Sequence, residues 1–356
     1  MNLKCSIFIF LIPVFIFSQE KLILEDSIPN NSKFIEDYSN QLNIKFDVTN
    51  DRVSYFIPFE TSQAEIRSNL NISYGLVFSY KFLSVRLGMR PKLSENELKN
   101  KGKTDRFRLR VKFLFDNWTH RLEYNYTRGF YIENTSEFEN DIKNSNFKVQ
   151  FPYLRTNMLS GSSNYKFNGN YSMKALESNT EIQLKSTGTF LAGFNYAFYF
   201  VNGTDRIKLE NQELLQRTSY NDFSGFSPVF YIGYHYTFVF HNYWYLNVYL
   251  DPGIGFDFYQ NKFYNQGESN DNLNTNVFFQ VKSGFSAGYN GRKIYFGGTF
   301  KYNYNSDKAE NNTLGLQPIK NSFHLFFGYR FKAPKQVTKP IEYIEEKVPV
   351  LKQNNI

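Results

Sequence analysis

Apolar and polar residues alternate along most of the chain, most clearly in the C-terminal segment 321–331. One set of alternate positions in this segment is apolar: Phe323, Leu325, Phe327, Tyr329 and Phe331. The intervening set is His324, Phe326, Gly328 and Arg330. A period of two residues places the two sets on opposite faces of a β-strand. About 14 segments show this alternation, two of them weakly, so the pattern predicts an all-β chain.

The number and length of these strands indicate a closed barrel in a membrane. Lipid requires an apolar exterior and a backbone without unpaired edges, and a closed barrel provides both. We therefore expect a transmembrane antiparallel outer-membrane β-barrel of about 12 strands, within a range of about 10 to 14, over residues 41–331. The expected localisation is the cell outer membrane. The alternative is a soluble sandwich with an aromatic core, which the export signal described next disfavours.

The N-terminus is typical of a secretory signal peptide. Lys4 supplies a positive charge, an apolar run extends from Cys5 to Phe17, and polar residues begin at Ser18. This run is shorter than the ~20 apolar residues that a membrane-spanning helix needs. We expect residues 1–19 to be the signal peptide and residues 20–40 to be a periplasmic N-terminal segment. Residues 332–356 contain prolines and charges, which predict a flexible periplasmic tail or, alternatively, a contact for a partner.

The composition narrows the possible chemistry. Aromatic residues make up 19% of the chain, and the formal net charge is +8. Because an exported protein does not normally meet nucleic acid, we expect no nucleic-acid partner. The expected partners are membrane lipid and either small anions or proteins of an envelope complex. Cys5 is the single cysteine and lies in the predicted signal peptide, so we expect neither a disulfide nor a cysteine-ligated metal in the mature chain.

The order of strands and turns presents a difficulty in the middle of the chain. Tight turns are predicted at residues 116–117, 168–170, 241–242 and 290–291. The second turn would join a strand ending at Phe167 to a strand over Tyr171–Leu176, and a weak strand is predicted over Arg52–Ile57. Bacterial barrels have short periplasmic turns and long outer loops, but this assignment places two of the turns on the outer side. Either one predicted strand is not a full span, or a long segment such as 129–155 lies in the periplasm or the lumen.

Basic residues occur together at the inward positions of three consecutive predicted strands. These residues are Arg86, Arg90, Arg106, Arg108, Arg110, Lys112 and Arg121. Adjacent strands lie ~4.8 Å apart, so the cations would form one wall of the lumen. An unbalanced basic wall would concentrate anions in a narrow lumen. Alternatively, the wall is neutralised by Glu123, Asp251 or Asp257, or by a loop that plugs the lumen; separate lumen charges such as Lys282, Lys301 and Arg330 are expected to be solvated or paired.

Signals for catalysis are weak. Residues 284–288 match the Gly-x-Ser-x-Gly pattern of hydrolases, but they lie within a predicted strand, whereas that motif requires a strand-to-helix turn. None of the four histidines has a serine and an acid at a recognisable spacing. We therefore expect no catalytic residue, no metal site and no cofactor, and a protein that is not an enzyme.

Several short motifs resemble a family of exported proteins from Bacteroidota that is defined as a domain of unknown function. The motifs are Phe78-Ser79-Tyr80-Lys81, Arg128-Gly129-Phe130-Tyr131, Tyr153-Leu154-Arg155, Tyr165-Lys166-Phe167-Asn168, Lys185-Ser186-Thr187-Gly188, Tyr236-Thr237-Phe238-Val239-Phe240 and Pro252-Gly253. The resemblance extends over roughly residues 34 to 331, with Phe82 in place of an expected Trp. It implies an outer-membrane-type barrel and no particular activity.

Two functions are consistent with these observations. The first is a narrow outer-membrane pore with a basic lumen for small anionic solutes. The second is a non-conducting barrel that serves as a scaffold or accessory subunit of an outer-membrane or envelope complex.

Overall fold

The computed structural model describes residues 34–50, 54–59, 62–137, 146–203, 205–209, 215–216, 219–241, 243–265, 268–306, 315–317 and 321–348. Within these residues, twelve antiparallel strands form a closed ring. In chain order the strands are β1 (Gln41–Asn50), β2 (Ser73–Tyr80), β3 (Leu83–Met89), β4 (Asp105–Leu114), β5 (Trp118–Ile132), β6 (Gln150–Lys166), β7 (Thr187–Asn202), β8 (Ser219–Phe240), β9 (Trp244–Asn265), β10 (Glu268–Asn290), β11 (Ile294–Asn305) and β12 (Asn321–Lys332).

Each strand pairs with the barrel strands that precede and follow it in the chain, and β12 pairs with β1 to close the ring. At this seam Phe327 is opposite Phe46, and both rings point outward with 54% and 44% of their surface exposed. The adjacent residue Asp47 is buried on the inner face. The two-residue period thus separates an apolar exterior from a polar lumen, as lipid requires. The prediction of an outer-membrane barrel with about 12 strands is confirmed.

Short turns join the strands at one end of the barrel, here called the turn end. They connect β2 to β3, β4 to β5, β8 to β9 and β10 to β11. The other end, here called the loop end, carries the longer connections, except that only residues 266–267 separate β9 from β10. Trp118 and Trp244 begin β5 and β9 at the turn end and are 40% and 48% exposed, which suits an aromatic belt at the headgroup level.

The strands differ in length around the ring. β3 has 7 residues, whereas β8, β9 and β10 have 22, 22 and 23. A barrel strand needs only about 9–11 residues to cross the bilayer. Each of the three long strands has one end at the turn end, so its other end extends past the bilayer at the loop end.

The prediction of a strand over Tyr171–Leu176 is wrong. Residues 167–186, here called the plug, instead connect β6 to β7 at the turn end, fold into the lumen and contain the short helix Met173–Glu177. Ser172 caps this helix by accepting a hydrogen bond from the Ala175 N–H. Removing this strand from the count places the four tight turns predicted from the sequence at the same end, which resolves the topological difficulty.

The weak strand predicted over Arg52–Ile57 is not part of the ring. The structure has a strand at Ser54–Phe59 that pairs with Ser62–Arg67, and this hairpin is joined to the end of β5 by the pair Ile66 and Ile132. Residues 51–53 lie outside the described residues. Apolar side chains of the hairpin, of residues 147–154 and of β5, β7 and β8 form a buried cluster at the loop end: Ala64, Ile66, Phe130, Ile132, Phe147, Val149, Phe151, Leu154, Tyr199, Val201 and Phe223.

The long connection between β3 and β4 contains the helix Glu95–Lys101, which has Ser94 and Glu97 as a capping box. Its end lies against a bulge in β5, where the pairing with β6 shifts between Arg128 and Phe130. Gly129 occupies this bulge with φ +88°, and a Cβ atom there would lie 2.1 Å from the Lys103 carbonyl oxygen. Only glycine fits this position without strain.

Both termini of the described chain pack at the turn end. The N-terminal strand Ile35–Asp37 pairs with Glu181–Gln183 of the plug. After β12, residues Lys335–Lys347 form a helix, in contrast to the predicted flexible tail, because Ile341 and Val337 pack on Tyr80 and Phe82. None of the helices in the described residues is long and apolar enough to cross a membrane.

Candidate lumen site

The plug is attached to strands on opposite sides of the ring. On one side, Asn290 of β10 donates a hydrogen bond to the Glu181 carbonyl oxygen at 3.0 Å, and Asn247 of β9 donates to the Tyr171 hydroxyl at 2.8 Å. Tyr171 is completely buried and packs with Met173 against β7 and β8. The plug therefore fills the lumen near the turn end.

Asn179 of the plug contacts the first and last strands of the barrel. Its side-chain oxygen accepts a hydrogen bond from the Lys45 ammonium of β1 at 2.9 Å. Its carbonyl oxygen accepts from the Arg330 guanidinium of β12 at 2.6 and 3.0 Å. Arg330 also donates to the Asn290 side chain at 2.6 Å and to the Gly291 carbonyl oxygen. A single buried arginine thus links the plug to the closing strand.

The most informative contact of the plug is made by Glu177 at the end of its helix. The Lys112 ammonium of β4 donates to the Glu177 carboxylate, and the Arg121 guanidinium of β5 lies 3.5 Å from the same oxygen. Burial alone would raise the pKa of Glu177, but the neighbouring cations Lys112, Arg121 and Lys301 outweigh burial and hold this pKa well below its ordinary value. Glu177 is therefore a stable anion within the basic wall.

A second group of ion pairs holds the plug where it lies closest to the turn end. The Lys174 ammonium lies 2.8 Å from the Asp116 carboxylate in the turn between β4 and β5, and 3.3 Å from the Glu181 carboxylate. Burial would lower the pKa of Lys174, but the two carboxylates outweigh burial and raise it. Lys174 stays protonated at neutral pH and attaches the plug to the turn end.

The predicted basic wall is balanced in part by acidic residues. Arg108 and Arg110 of β4 both donate to the Glu123 carboxylate of β5, with distances of 2.6 and 2.5 Å. Arg106, nearer the loop end, donates to the Asn125 side chain at 3.1 Å. This neutralisation by Glu123 was one of the two alternatives that the sequence left open.

Arg86 and Arg90 occupy the same face of one segment, four positions apart, but they have different surroundings. The Arg86 guanidinium is buried and donates to the Asp47 carboxylate of β1 at 2.6 to 3.1 Å. Arg90 lies beyond the end of β3, is 38% exposed, and is 3.0 Å from the Asp105 carboxylate. Arg90 is therefore placed at the loop end, apart from the cations around the plug.

A cavity of about 350 Å³ lies in the lumen beside the plug. Two histidines that face it are bound to acids: His235 lies 2.8 Å from Asp251, and His324 lies 3.4 Å from Asp47. The charged side chains that line the cavity are the basic residues Lys45, Arg86, Arg110, Lys112, Arg121, Lys282 and Lys301, and the acidic residues Asp47, Glu177 and Asp251. The lining therefore carries more positive than negative charge.

The sequence pattern did not identify Lys45, Asp47 or Glu177 as part of this site. Lys45 and Asp47 alternate with apolar residues in β1, so their inward direction was readable, but their partners are far away in the sequence. Glu177 followed a predicted strand that is absent from the structure. No group of three or more histidine, cysteine, aspartate or glutamate side chains that could hold a metal ion occurs within the described ranges.

The profile of the family described as Domain of unknown function (DUF4421) matches residues 25–331. The chain belongs to this family. The matched residues include the twelve strands up to Phe331 of β12, the plug and the basic wall, so these features lie within the DUF4421 domain. No curated protein sequence matches the chain.

Solved structures of similar architecture are outer-membrane barrels. They include the outer-membrane protease OmpT from Escherichia coli, with 8% identity, a TM-score of 0.35, and coverage of 83% of this chain and 98% of that chain. The β domain of the Bordetella autotransporter BrkA has 10% identity, a TM-score of 0.38, and coverage of 82% and 100%. The translocator domain of NalP from Neisseria meningitidis has 8% identity, a TM-score of 0.38, and coverage of 83% and 89%.

The prediction that excluded an enzymatic function for this protein is wrong. One of the similar structures is an outer-membrane protease, so barrels of this kind include enzymes. An identity of 8% assigns no activity to this chain.

Proposed function

We propose that the protein is a gated outer-membrane pathway for small anionic solutes, and that the plug closes this pathway at rest. The position of Glu177 supports the proposal most directly. Its carboxylate is carried by the plug and pairs with Lys112 and Arg121 of the lumen wall. A carboxylate of the protein itself thus occupies cations that an anionic solute would otherwise meet.

The charge of the cavity supports a preference for anions. Seven basic and three acidic side chains line it, and each acidic side chain already has a partner. Asp47 pairs with Arg86, Asp251 with His235, and Glu177 with Lys112. Low-dielectric walls strengthen the field of the remaining cations, so the cavity attracts anions and repels cations.

The side of the membrane follows from the general rule for bacterial barrels, whose short turns face the periplasm. By this rule the plug closes the periplasmic end, and the C-terminal helix and the strand Ile35–Asp37 are periplasmic. A signal peptide over residues 1–19 fits this orientation, and it stays a prediction from the sequence, as does a Bacteroidota source.

Solute uptake into proteoliposomes tests the proposal. In the test variant a Gly-Ser dipeptide replaces residues 170–185, which is feasible because Asn168 already lies against Thr189 of β7 at 2.9 Å. We expect this variant to pass sulfate faster than glucose and a small amine slowest, while the intact chain passes each of them slowly. Heat-dependent gel migration verifies that both barrels are folded. Equal uptake of all three solutes by the shortened variant would contradict the anion preference.

A second candidate function is a non-conducting accessory subunit of an envelope complex. The observation that favours it is the C-terminal helix, which buries Ile341 against the barrel but leaves Tyr343 and Ile344 62% and 40% exposed. We expect this role to require a partner at the exposed face. Recovery of the tagged chain from native membranes as a single species without bound protein would argue against it.

A further inference from the structure

One lysine of the lumen cavity forms no salt bridge with any acidic residue in the described part of the chain. Lys282 projects from β10 and lines the cavity, and its ammonium lies 5.1 Å from the centre of the Tyr231 ring. Among the described residues this ring is its only polar or aromatic partner. Asp251, on the neighbouring strand, pairs with His235 instead. The Lys282 ammonium therefore forms no salt bridge with a carboxylate of the described residues.

Arg121 faces Lys282 from β5, on the opposite side of the ring. Both side chains line the cavity, so their positive charges act on the same enclosed space. The Arg121 Nη2 lies 3.5 Å from the Glu177 carboxylate, but its Nε–H is buried and has no acceptor among the described residues. The same holds for the Asn195 side-chain N–H of β7, which also lines the cavity. A buried donor without an acceptor is unfavourable, so this arrangement favours a ligand that brings acceptors and negative charge.

We propose that the cavity binds a small oxyanion, of the phosphate, sulfate or carboxylate class, between Lys282 and Arg121. The cavity volume of about 350 Å³ is at the lower end of the range of about 300–1,000 Å³ for small-molecule sites. Tyr231 connects the site to the plug, because its ring packs with Tyr171 and Met173. The site thus lies directly beside the closed end. This inference rests on the proposed anion pathway and identifies the site at which an anion would bind within it.

Calorimetric titration of the purified full chain in detergent tests the site. The probes are inorganic phosphate and, as a neutral control, glucose, at constant ionic strength and pH. We expect saturable phosphate binding that weakens at least about tenfold in Lys282→Gln, because the variant loses a charge-assisted hydrogen bond to the anion. The matched control is Lys103→Gln, whose side chain is 66% exposed outside the cavity and which is expected to bind like the unmodified chain. Lys282→Met provides a second neutral replacement if the glutamine variant loses heat-dependent migration.

Two results would overturn the site: no saturable phosphate binding by the unmodified chain, or equal weakening in the Lys282 and Lys103 variants. These outcomes are separate from the test of the pathway. If the plug-shortened chain passes sulfate but phosphate binding is absent, the pathway stands and the site fails. If phosphate binding depends on Lys282 but the plug-shortened chain passes no solute, the site stands and the pathway fails.

Discussion

The Lys112 ammonium of β4 donates a hydrogen bond to the Glu177 carboxylate of the plug. The two residues are 65 positions apart in the sequence, and their contact joins the lumen wall to the segment that fills the lumen. Both side chains are largely shielded, with 16% and 23% of their surface exposed. Removal of one partner would leave the other charge unpaired in a shielded position, which is unfavourable. We therefore expect this pair to hold the plug in place.

Neutralising Glu177 should loosen the plug. In Glu177→Gln we expect the fraction of time that the barrel conducts in a planar bilayer to rise at least about tenfold, because a charge-assisted hydrogen bond contributes about 1.5–3 kcal/mol. The control is Glu95→Gln, which removes an exposed carboxylate of the β3–β4 connection. If both variants stay as closed as the unmodified chain, Glu177 does not hold the plug.

Chemical labelling can report the position of the plug directly. Ser178 is completely buried, and the predicted mature chain has no cysteine, so Ser178→Cys introduces a single thiol. We expect a membrane-impermeant maleimide to label this thiol slowly in the folded barrel and much faster after the additional change Glu177→Gln. Asn96→Cys, on an exposed helix of the loop end, should react fast in both backgrounds. Rapid labelling of Cys at position 178 in the otherwise unmodified barrel would contradict a seated plug.

Acid should release the plug in a defined pH range. The pKa of Glu177 in the folded chain lies well below its ordinary value of 4.5, so its contribution to plug binding is complete above about pH 4.5. The contribution decreases as the pH falls below 4.5 and is lost once the pH passes the folded pKa. We therefore expect constant conductance from neutral pH to about pH 5 and an increase in stronger acid. Conductance of Glu177→Gln should be high throughout and should lack this increase.

Two isoleucines of the C-terminal helix provide a matched pair. Ile341 is 8% exposed and packs on Tyr80 and Phe82, whereas Ile344 is 40% exposed. Replacement of Ile341 by alanine should destabilise the docked helix by about 2–4 kcal/mol, and replacement of Ile344 by less than about 1 kcal/mol. Limited proteolysis measures this as faster cleavage within residues 335–347 of the Ile341 variant. Equal cleavage rates in the two variants would show that the helix is not held by this contact.

Much of the barrel could be predicted because lipid acts on each strand separately. The alternation of Phe323, Leu325 and Phe327 with His324 and Phe326 determines which side chains face outward, without information about the rest of the fold. The basic residues of β4 were located inside the lumen for the same reason. Strand pairing around the ring then follows from the sequence order.

The plug could not be predicted in this way. Tyr171, Met173 and Ala175 also occupy alternate positions, and a two-residue period does not distinguish a strand facing lipid from a short segment buried in the lumen. The capping role of Ser172 depends on a helix of only 5 residues, which is too short to give a periodic signal. The partners of Glu177 and Asn179 come from distant strands, so only the closed barrel brings them together.

Single-channel current across a planar bilayer tests the central claim most directly, with the intact chain and the chain lacking residues 170–185 compared in the same membrane. We predict that the intact barrel is closed for most of the recording, and that the shortened barrel is open with a reversal potential that indicates anion preference. The same current through both barrels, or a shortened barrel that passes no current although it is folded, would contradict closure of a basic lumen by the plug.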